Sequence, residues 1–166
     1  MLGLVAQEGG RETYDTLWRL EREAELHEEK MRFLGALTRF KDHALLEDLL
    51  RRSLGDEVRS QDAMAVIVQT AGNRHGRDLA WRFLQDNWSE LDRRYGKGGF
   101  AIMRLVGITG GFTTMERHDE VQAFFEAHPA PSAARTIQQS LERIRLNTAW
   151  LGQNRTVVGD WLGAIA

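Results

Sequence analysis

The 166-residue sequence contains no cysteine, only two prolines and no long run of apolar residues. The absence of cysteine excludes disulfide frameworks, thiolate catalysis and cysteine-based zinc sites, and it suits the reducing environment of the cytoplasm. No stretch approaches the roughly 20 apolar residues of a transmembrane helix, and no signal-type segment opens the chain. We therefore predict a cytoplasmic protein that has no membrane partner.

Positive and negative charges nearly cancel, with 22 Lys and Arg against 24 Asp and Glu and a net charge of −2. Arginines gather in two places, within residues 51–59 and within residues 135–145, but acidic residues are interleaved with both groups. Binding to a phosphate backbone needs a basic face that acidic groups do not interrupt. The sequence therefore predicts no nucleic-acid partner.

The sequence also lacks complete versions of the common catalytic and phosphate-binding motifs. His27-Glu28-Glu29-Lys30-Met31 begins like the zinc-binding helix motif H-E-x-x-H, but methionine occupies the position of the second ligand. The serines lack the G-x-S-x-G elbow, and the glycine-rich segments 96–100 and 107–112 lack the Walker arrangement. We predict no catalytic, cofactor-binding or metal-ligating residue in this chain.

Helical periodicity runs through most of the sequence. Trp81, Leu84, Trp88 and Leu91 recur at intervals of three or four residues, which predicts a buried stripe on one helix face. Helices are predicted over residues 11–23, 26–38, 42–53, 60–72, 76–94, 98–108, 114–127, 132–151 and 154–164.

Short loops favour antiparallel neighbours, which groups these helices into pairs over residues 26–53, 60–94, 98–127 and 132–164. Pairs that begin roughly every 34 to 37 residues are typical of helical repeats. The predicted fold is all-α, with antiparallel helix pairs in a HEAT-like curved superhelical array. Because the first ten residues carry a partial apolar stripe without a cap, we expect residues 1–166 to be one helical-repeat domain, truncated at its N-terminus.

Helix starts are marked by capping residues. Asp42 stands where an N-cap is expected, and Thr113 with Glu116 fits a capping box. Pro129 and Pro131 disfavour continuation of the preceding helix and predict a corner, after which Ser132 is the expected cap.

Beyond these general patterns, five motifs occur in a specific order. Together they resemble the C-terminal helical domain of the puromycin-sensitive aminopeptidase family of zinc metallopeptidases, which is related to endoplasmic-reticulum aminopeptidases and aminopeptidase N. The motifs are Arg59-x-Gln61-Asp62, Gly76-Arg77-x-x-Ala80-Trp81-x-Phe83, Asn87-Trp88, Phe124-Phe125-x-x-His128-Pro129 and Glu142-x-Ile144-x-x-Asn147-x-x-Trp150.

The resemblance implies a function for the whole protein and a role for this part. Members of the family remove N-terminal residues from peptides, with zinc held by an H-E-x-x-H helix in a catalytic domain that is missing here. The C-terminal domain closes over the active-site chamber and governs peptide access. The implied partners are the catalytic domain of the same polypeptide and the peptide substrate, and this chain alone is expected to be inactive.

One residue is a candidate for substrate contact. Arg39 lies beside the apolar stripe of residues 33–37, where it is either a surface arginine or a contact for the C-terminal carboxylate of a peptide. A second hypothesis, from a different class, is a free-standing α-helical repeat adaptor that binds a protein partner.

Overall fold

The computed structural model describes residues 2–165, which form ten α-helices and three short 3₁₀ turns and contain no strand. The predicted all-α fold is confirmed. The helices are α1 Leu2–Glu8, α2 Arg11–Glu23, α3 His27–Leu37, α4 His43–Ser53, α5 Ser60–Gly72, α6 Arg77–Asp86, α7 Trp88–Tyr95, α8 Phe100–Val106, α9 Met115–Ala127 and α10 Ala134–Ile165.

The chain divides into two compact units, residues 1–108 and residues 109–166. In the first unit, α2 packs against α3, and α5 packs against α4, α6 and α8. In the second unit, α9 and α10 pack against each other. Neighbours in sequence therefore tend to be neighbours in space, as expected for short connections.

Three of the four predicted helix pairs are wrong. In the pair over residues 98–127, α8 packs against α5 and α7, whereas α9 packs against α10. Within residues 26–53, α3 packs mainly against α2 and α4 against α5, so the pairing is displaced by one helix. The predicted pair over residues 132–164 is the single helix α10. Gly152 does not end it, because a glycine inside a helix costs only about 1 kcal/mol and the chain has no proline after Pro131.

Two other helix boundaries differ from prediction. The predicted helix 76–94 is split into α6 and α7 at Asn87, whose backbone (φ −112°, ψ 15°) leaves the helical region. The Nδ2 group of Asn87 donates a hydrogen bond to the Phe83 carbonyl at 2.8 Å, which ends α6. Residues 2–8, for which no complete helix was predicted, form α1.

The core of residues 1–108 contains large aromatic side chains. Trp81, Leu84, Trp88 and Leu91 are buried as predicted, but they are divided between α6 and α7 and do not form a stripe on one helix. Phe40 is also fully buried and meets the ring of Tyr14 edge-on, with ring centroids 5.5 Å apart. Edge-on aromatic pairs stabilise by about 0.5–1.5 kcal/mol beyond the area they bury.

Of the predicted caps, the structure confirms Asp42 and corrects Thr113. Asp42 caps α4, since its Oδ1 accepts hydrogen bonds from the Ala44 and Leu45 amides at 2.8 and 3.2 Å. The cap of α9 is Thr114 rather than Thr113, so the predicted capping box is wrong by one residue. Ser132 lies inside a 3₁₀ turn, two residues before α10 begins.

Candidate functional site

A basic groove lies beside the turn that contains Arg39. Its volume is about 400 Å³, and it lies entirely within residues 1–108. It is lined by the end of α1, the turn after α3 and the turn after α5, through Gln7, Arg39, Lys41, Gly72, Asn73, Arg74 and His75. Because the lining carries three permanent cations and no acidic side chain, the groove suits an anionic group.

Arg39 is exposed and available in this groove. The Lys41 ammonium is paired with Glu8 at 2.7 Å, and Arg74 Nε donates a hydrogen bond to His75 Nε2 at 3.1 Å. Within residues 2–165, the guanidinium of Arg39 has no hydrogen bond and no ion pair. Its fork of N–H donors can therefore bind a carboxylate through two parallel hydrogen bonds.

The turn that carries Arg39 is held by Asn73. The Nδ2 group of Asn73 donates hydrogen bonds to the Thr38 carbonyl at 3.0 Å and to the Phe40 carbonyl at 2.7 Å. These carbonyls belong to the residues on either side of Arg39, and both residues are fully buried. Asn73 therefore fixes the backbone of the turn while the Arg39 side chain remains exposed to solvent.

The same arrangement recurs in residues 109–166. Asn147 Nδ2, on α10, donates to the carbonyls of Gly110 at 3.2 Å and Phe112 at 3.0 Å. Each asparagine thus bonds the two carbonyls that flank one turn residue, at sequence separations of 33 and 35 residues for Asn73 and of 35 and 37 for Asn147. We call this arrangement the asparagine brace. Sequence reasoning missed it, because contacts of this separation leave no local pattern.

A second cavity, of about 280 Å³, lies between α2, α3 and α5 and contains two buried carboxylates. Only 8% of the Glu21 side chain is exposed, and its nearest cation is the Lys30 ammonium at 3.9 Å. Burial raises the pKa of Glu21, and Lys30 opposes this only in part. The Asp62 carboxylate is 3.6 Å from His27 Nε2. These contacts connect three helices across the cavity.

Within residues 2–165, no group of three His, Cys, Asp or Glu side chains comes together as metal ligands. His27 and Met31 lie on α3, where the histidine faces Asp62 of α5 at 3.6 Å. In this chain, the histidine of the His27–Met31 segment therefore takes part in the contact between α3 and α5.

His118 is a buried histidine with both ring nitrogens occupied. Its Nδ1 is 2.8 Å from Asp119 Oδ1, and its Nε2 is 3.0 Å from Arg145 Nε. Since arginine can only donate, Nε2 accepts, and Nδ1 must carry the proton that is donated to Asp119. Only 3% of the residue is exposed, so this histidine links α9 to α10 and has no free nitrogen for a substrate.

Helix packing, buried tryptophans and the two asparagine braces characterise the described residues as an all-α structure. Residues 1–146 match the family described as the ERAP1-like C-terminal domain, and the chain belongs to that family. The predicted resemblance to the C-terminal domain of zinc aminopeptidases is thereby confirmed at the level of the family.

Known proteins with similar sequences are named as aminopeptidases or as a hormone-degrading ectoenzyme. Aminopeptidase M1 of Arabidopsis thaliana is 36% identical over 147 residues, which are 88% of this chain and 16% of the relative. Aminopeptidase N of Bos taurus is 34% identical over 162 residues, which are 95% of this chain and 17% of the relative. The thyrotropin-releasing hormone-degrading ectoenzyme of Rattus norvegicus is 36% identical over 137 residues, 81% of this chain and 13% of the relative.

The chain thus spans about one sixth of the length of the first two relatives. The part that these relatives share with the chain is this helical domain. The homology supports the interpretation of the chain as a domain of an aminopeptidase. No helix within residues 2–165 has the length and hydropathy that crossing a membrane requires.

Proposed function

We propose that this chain is the C-terminal domain of a zinc aminopeptidase of the puromycin-sensitive type, which removes N-terminal residues from peptides. The domain covers the active-site chamber and governs peptide access, without catalytic residues of its own. The match of residues 1–146 to the ERAP1-like C-terminal domain supports this proposal most directly. Relatives about six times longer, which are named as aminopeptidases, supply the second argument.

The proposal assigns the zinc ion to a catalytic domain outside this chain. A catalytic zinc site needs three protein ligands, and residues 2–165 do not bring three together. The proposed partners are the catalytic domain of the same polypeptide and the peptide substrate, with neither nucleic acid nor a membrane. A cytoplasmic location is proposed from the cysteine-free composition. The HEAT-like array is proposed from the two asparagine braces.

Arg39 is proposed as the contact for the peptide's C-terminal carboxylate. Its guanidinium has no partner within residues 2–165, and it stands in a groove whose other permanent cations are Lys41 and Arg74. Asn73 holds the turn at both neighbouring carbonyls, so the side chain is presented from a rigid backbone. A rigid support reduces the entropy that is lost on binding.

The enzymatic assignment is tested with aminoacyl-coumarin substrates, using the 166-residue chain and the product of any longer reading frame that contains it. Turnover by the longer product and none by the 166-residue chain is the expected result. Turnover by the 166-residue chain alone contradicts the domain assignment. A natural start at Met1 with no longer product favours the adaptor hypothesis instead.

The Arg39 assignment is tested in the longer product with Arg39→Ala, comparing a peptide with a free C-terminus to the same peptide with an amidated C-terminus. The variant is expected to raise KM about tenfold for the free carboxylate, corresponding to a charge-assisted hydrogen bond of about 1.5 kcal/mol, and to leave the amidated peptide unchanged. Arg32→Ala, which removes an exposed arginine from α3, is the matched control. Equal KM changes for both peptides contradict the assignment.

A further inference from the structure

The second half of α10 exposes a row of apolar side chains, among them Trp150, Val158 and Trp161. α10 has 32 residues and is therefore about 48 Å long, whereas α9 has 13 residues and is about 20 Å long. Helix α9 can cover less than half of α10. Beyond Thr148, every residue up to Ala164 is exposed except Asn154, which is half-buried.

The exposed surface continues the stripe that packs in the first half. Positions alternating by four and three residues begin at Ala133 and follow one face of α10. Ala133, Ser140 and Ile144 on this stripe are buried. The same alternation then reaches Leu151, Val158 and Trp161, which are 37%, 42% and 62% exposed.

The spacing of this stripe identifies the kind of partner. Alternation by four and three residues is the heptad pattern with which one α-helix packs along another. A second exposed row beside the stripe, with Trp150 at 58% and Val157 at 68%, widens the apolar face. From Ala149 to Ala164 the only charged side chains are Arg155 and Asp160. The surface therefore suits an apolar helix face rather than a charged ligand.

A polar side chain, Asn154, interrupts the apolar stripe and would need a hydrogen-bond acceptor on any helix that packs there. Asn154 follows Asn147 by seven residues and so lies at the equivalent position on the stripe. The Asn147 amide holds two backbone carbonyls of another segment. Among the described residues, the Asn154 amide bonds only the Trp150 carbonyl of its own helix, at 2.8 Å. A partner that presents a free carbonyl at a helix end would complete the arrangement.

We propose that the face of α10 formed by Leu151, Val158 and Trp161 is a docking surface for another helix of the same, longer polypeptide. This inference rests on the proposed function, because it requires the chain to be one part of a larger enzyme. The relatives contain about five times as much sequence outside the matched part as within it, which supplies candidate helices. The continuity of the stripe with the α9 contact favours a helix of the same polypeptide over a second copy.

Site-specific labelling tests the docking surface, because the 166-residue chain contains no cysteine. Val158→Cys places a thiol on the proposed surface, and Thr156→Cys places one on the opposite face of the same helix, where Gly152 and Gly159 also lie. Both positions are exposed in this chain, and circular dichroism verifies that each variant is folded. The measurement is the rate of maleimide labelling of each position, read by peptide mass spectrometry.

In the 166-residue chain, both thiols are expected to react at similar rates that do not depend on protein concentration. In the longer polypeptide, the thiol at position 158 is expected to react at least tenfold more slowly, with position 156 unchanged. Equal rates at position 158 in both proteins overturn the inference, as does the lack of any longer polypeptide. Slowing with increasing chain concentration, together with dimers in sedimentation, assigns the surface to a second copy and also overturns it. Peptidase turnover of the longer product reports separately on the proposed function.

Discussion

Replacing Asn73 with alanine tests whether the asparagine brace stabilises the turn that presents Arg39. The variant removes two hydrogen bonds, to the carbonyls of Thr38 and Phe40, at 3.0 and 2.7 Å. Both residues are fully buried, so each carbonyl loses its partner in a place that water reaches poorly. The variant also removes the contact between Asn73 Oδ1 and the His75 amide at 3.0 Å.

The expected loss follows from the cost of leaving a buried acceptor unpaired, about 1–3 kcal/mol for each group. Because Asn73 borders the groove, water can replace part of the lost bonding, and the lower half of that range applies. Two carbonyls then lower the free energy of unfolding by about 3 kcal/mol. For a chain of this length, that corresponds to a decrease in Tm of about 6–12 °C.

Thermal and urea denaturation followed by far-ultraviolet circular dichroism measure the effect, with tryptophan fluorescence as a second probe. Asn154→Ala is the matched control, because its amide bonds only its own helix in an exposed position, and it is expected to stay within about 0.5 kcal/mol of wild type. Asn73→Asp keeps the acceptor for His75 and loses both donated bonds, so it is expected to resemble Asn73→Ala. A loss at Asn73 no larger than that at Asn154 refutes the reasoning.

Two further predictions concern the buried side chains of Glu21 and Trp81. Burial raises the pKa of Glu21 above its ordinary value of 4.5, so the stability that its proton contributes is present below about pH 4.5 and is lost as pH rises through the higher, folded-state pKa. Glu21→Gln is therefore expected to be more stable than wild type at pH 7 and equal to it near pH 4 in urea titrations, and a less stable variant at pH 7 contradicts this. Trp81→Ala empties a fully buried site and is expected to lower the free energy of unfolding by about 3–5 kcal/mol, whereas Trp161→Ala at an exposed site changes it by less than about 1 kcal/mol. Guanidinium titration measures both, and similar losses at the two sites would show that burial is not the cause.

Local signals in the sequence predicted most helices and part of the core, because periodicity and caps act over a few residues. The buried positions of Trp81 and Leu91 and the cap at Asp42 belong to this group. Errors occurred where two local tendencies are close in energy. Helix α10 continues through Gly152, whereas the sequence predicted that a helix over residues 132–151 would end just before this glycine. At Asn87 a side chain that bonds the Phe83 carbonyl ends a helix that periodicity alone would continue.

The candidate site was predicted less completely than the fold. Arg39 was identified as exposed and basic from its own neighbourhood, and the structure adds the groove around it. The groove requires residues from α1 and from the turn after α5, which are distant in sequence from Arg39. Asn73 is 33 to 35 residues from the carbonyls it holds, so no local pattern in one sequence indicates that contact.

The brace has a consequence for how this turn can change during evolution. Within residues 2–165 the Asn73 side chain bonds main-chain groups alone, the carbonyls of Thr38 and Phe40 and the His75 amide, so these bonds do not depend on which side chain stands at position 39. Arg39 can be exchanged for another exposed residue at little cost in folding. If Arg39 has the proposed role in binding the peptide carboxylate, stability and peptide preference are encoded at separate positions, and selection can alter the preference without first having to restore the fold.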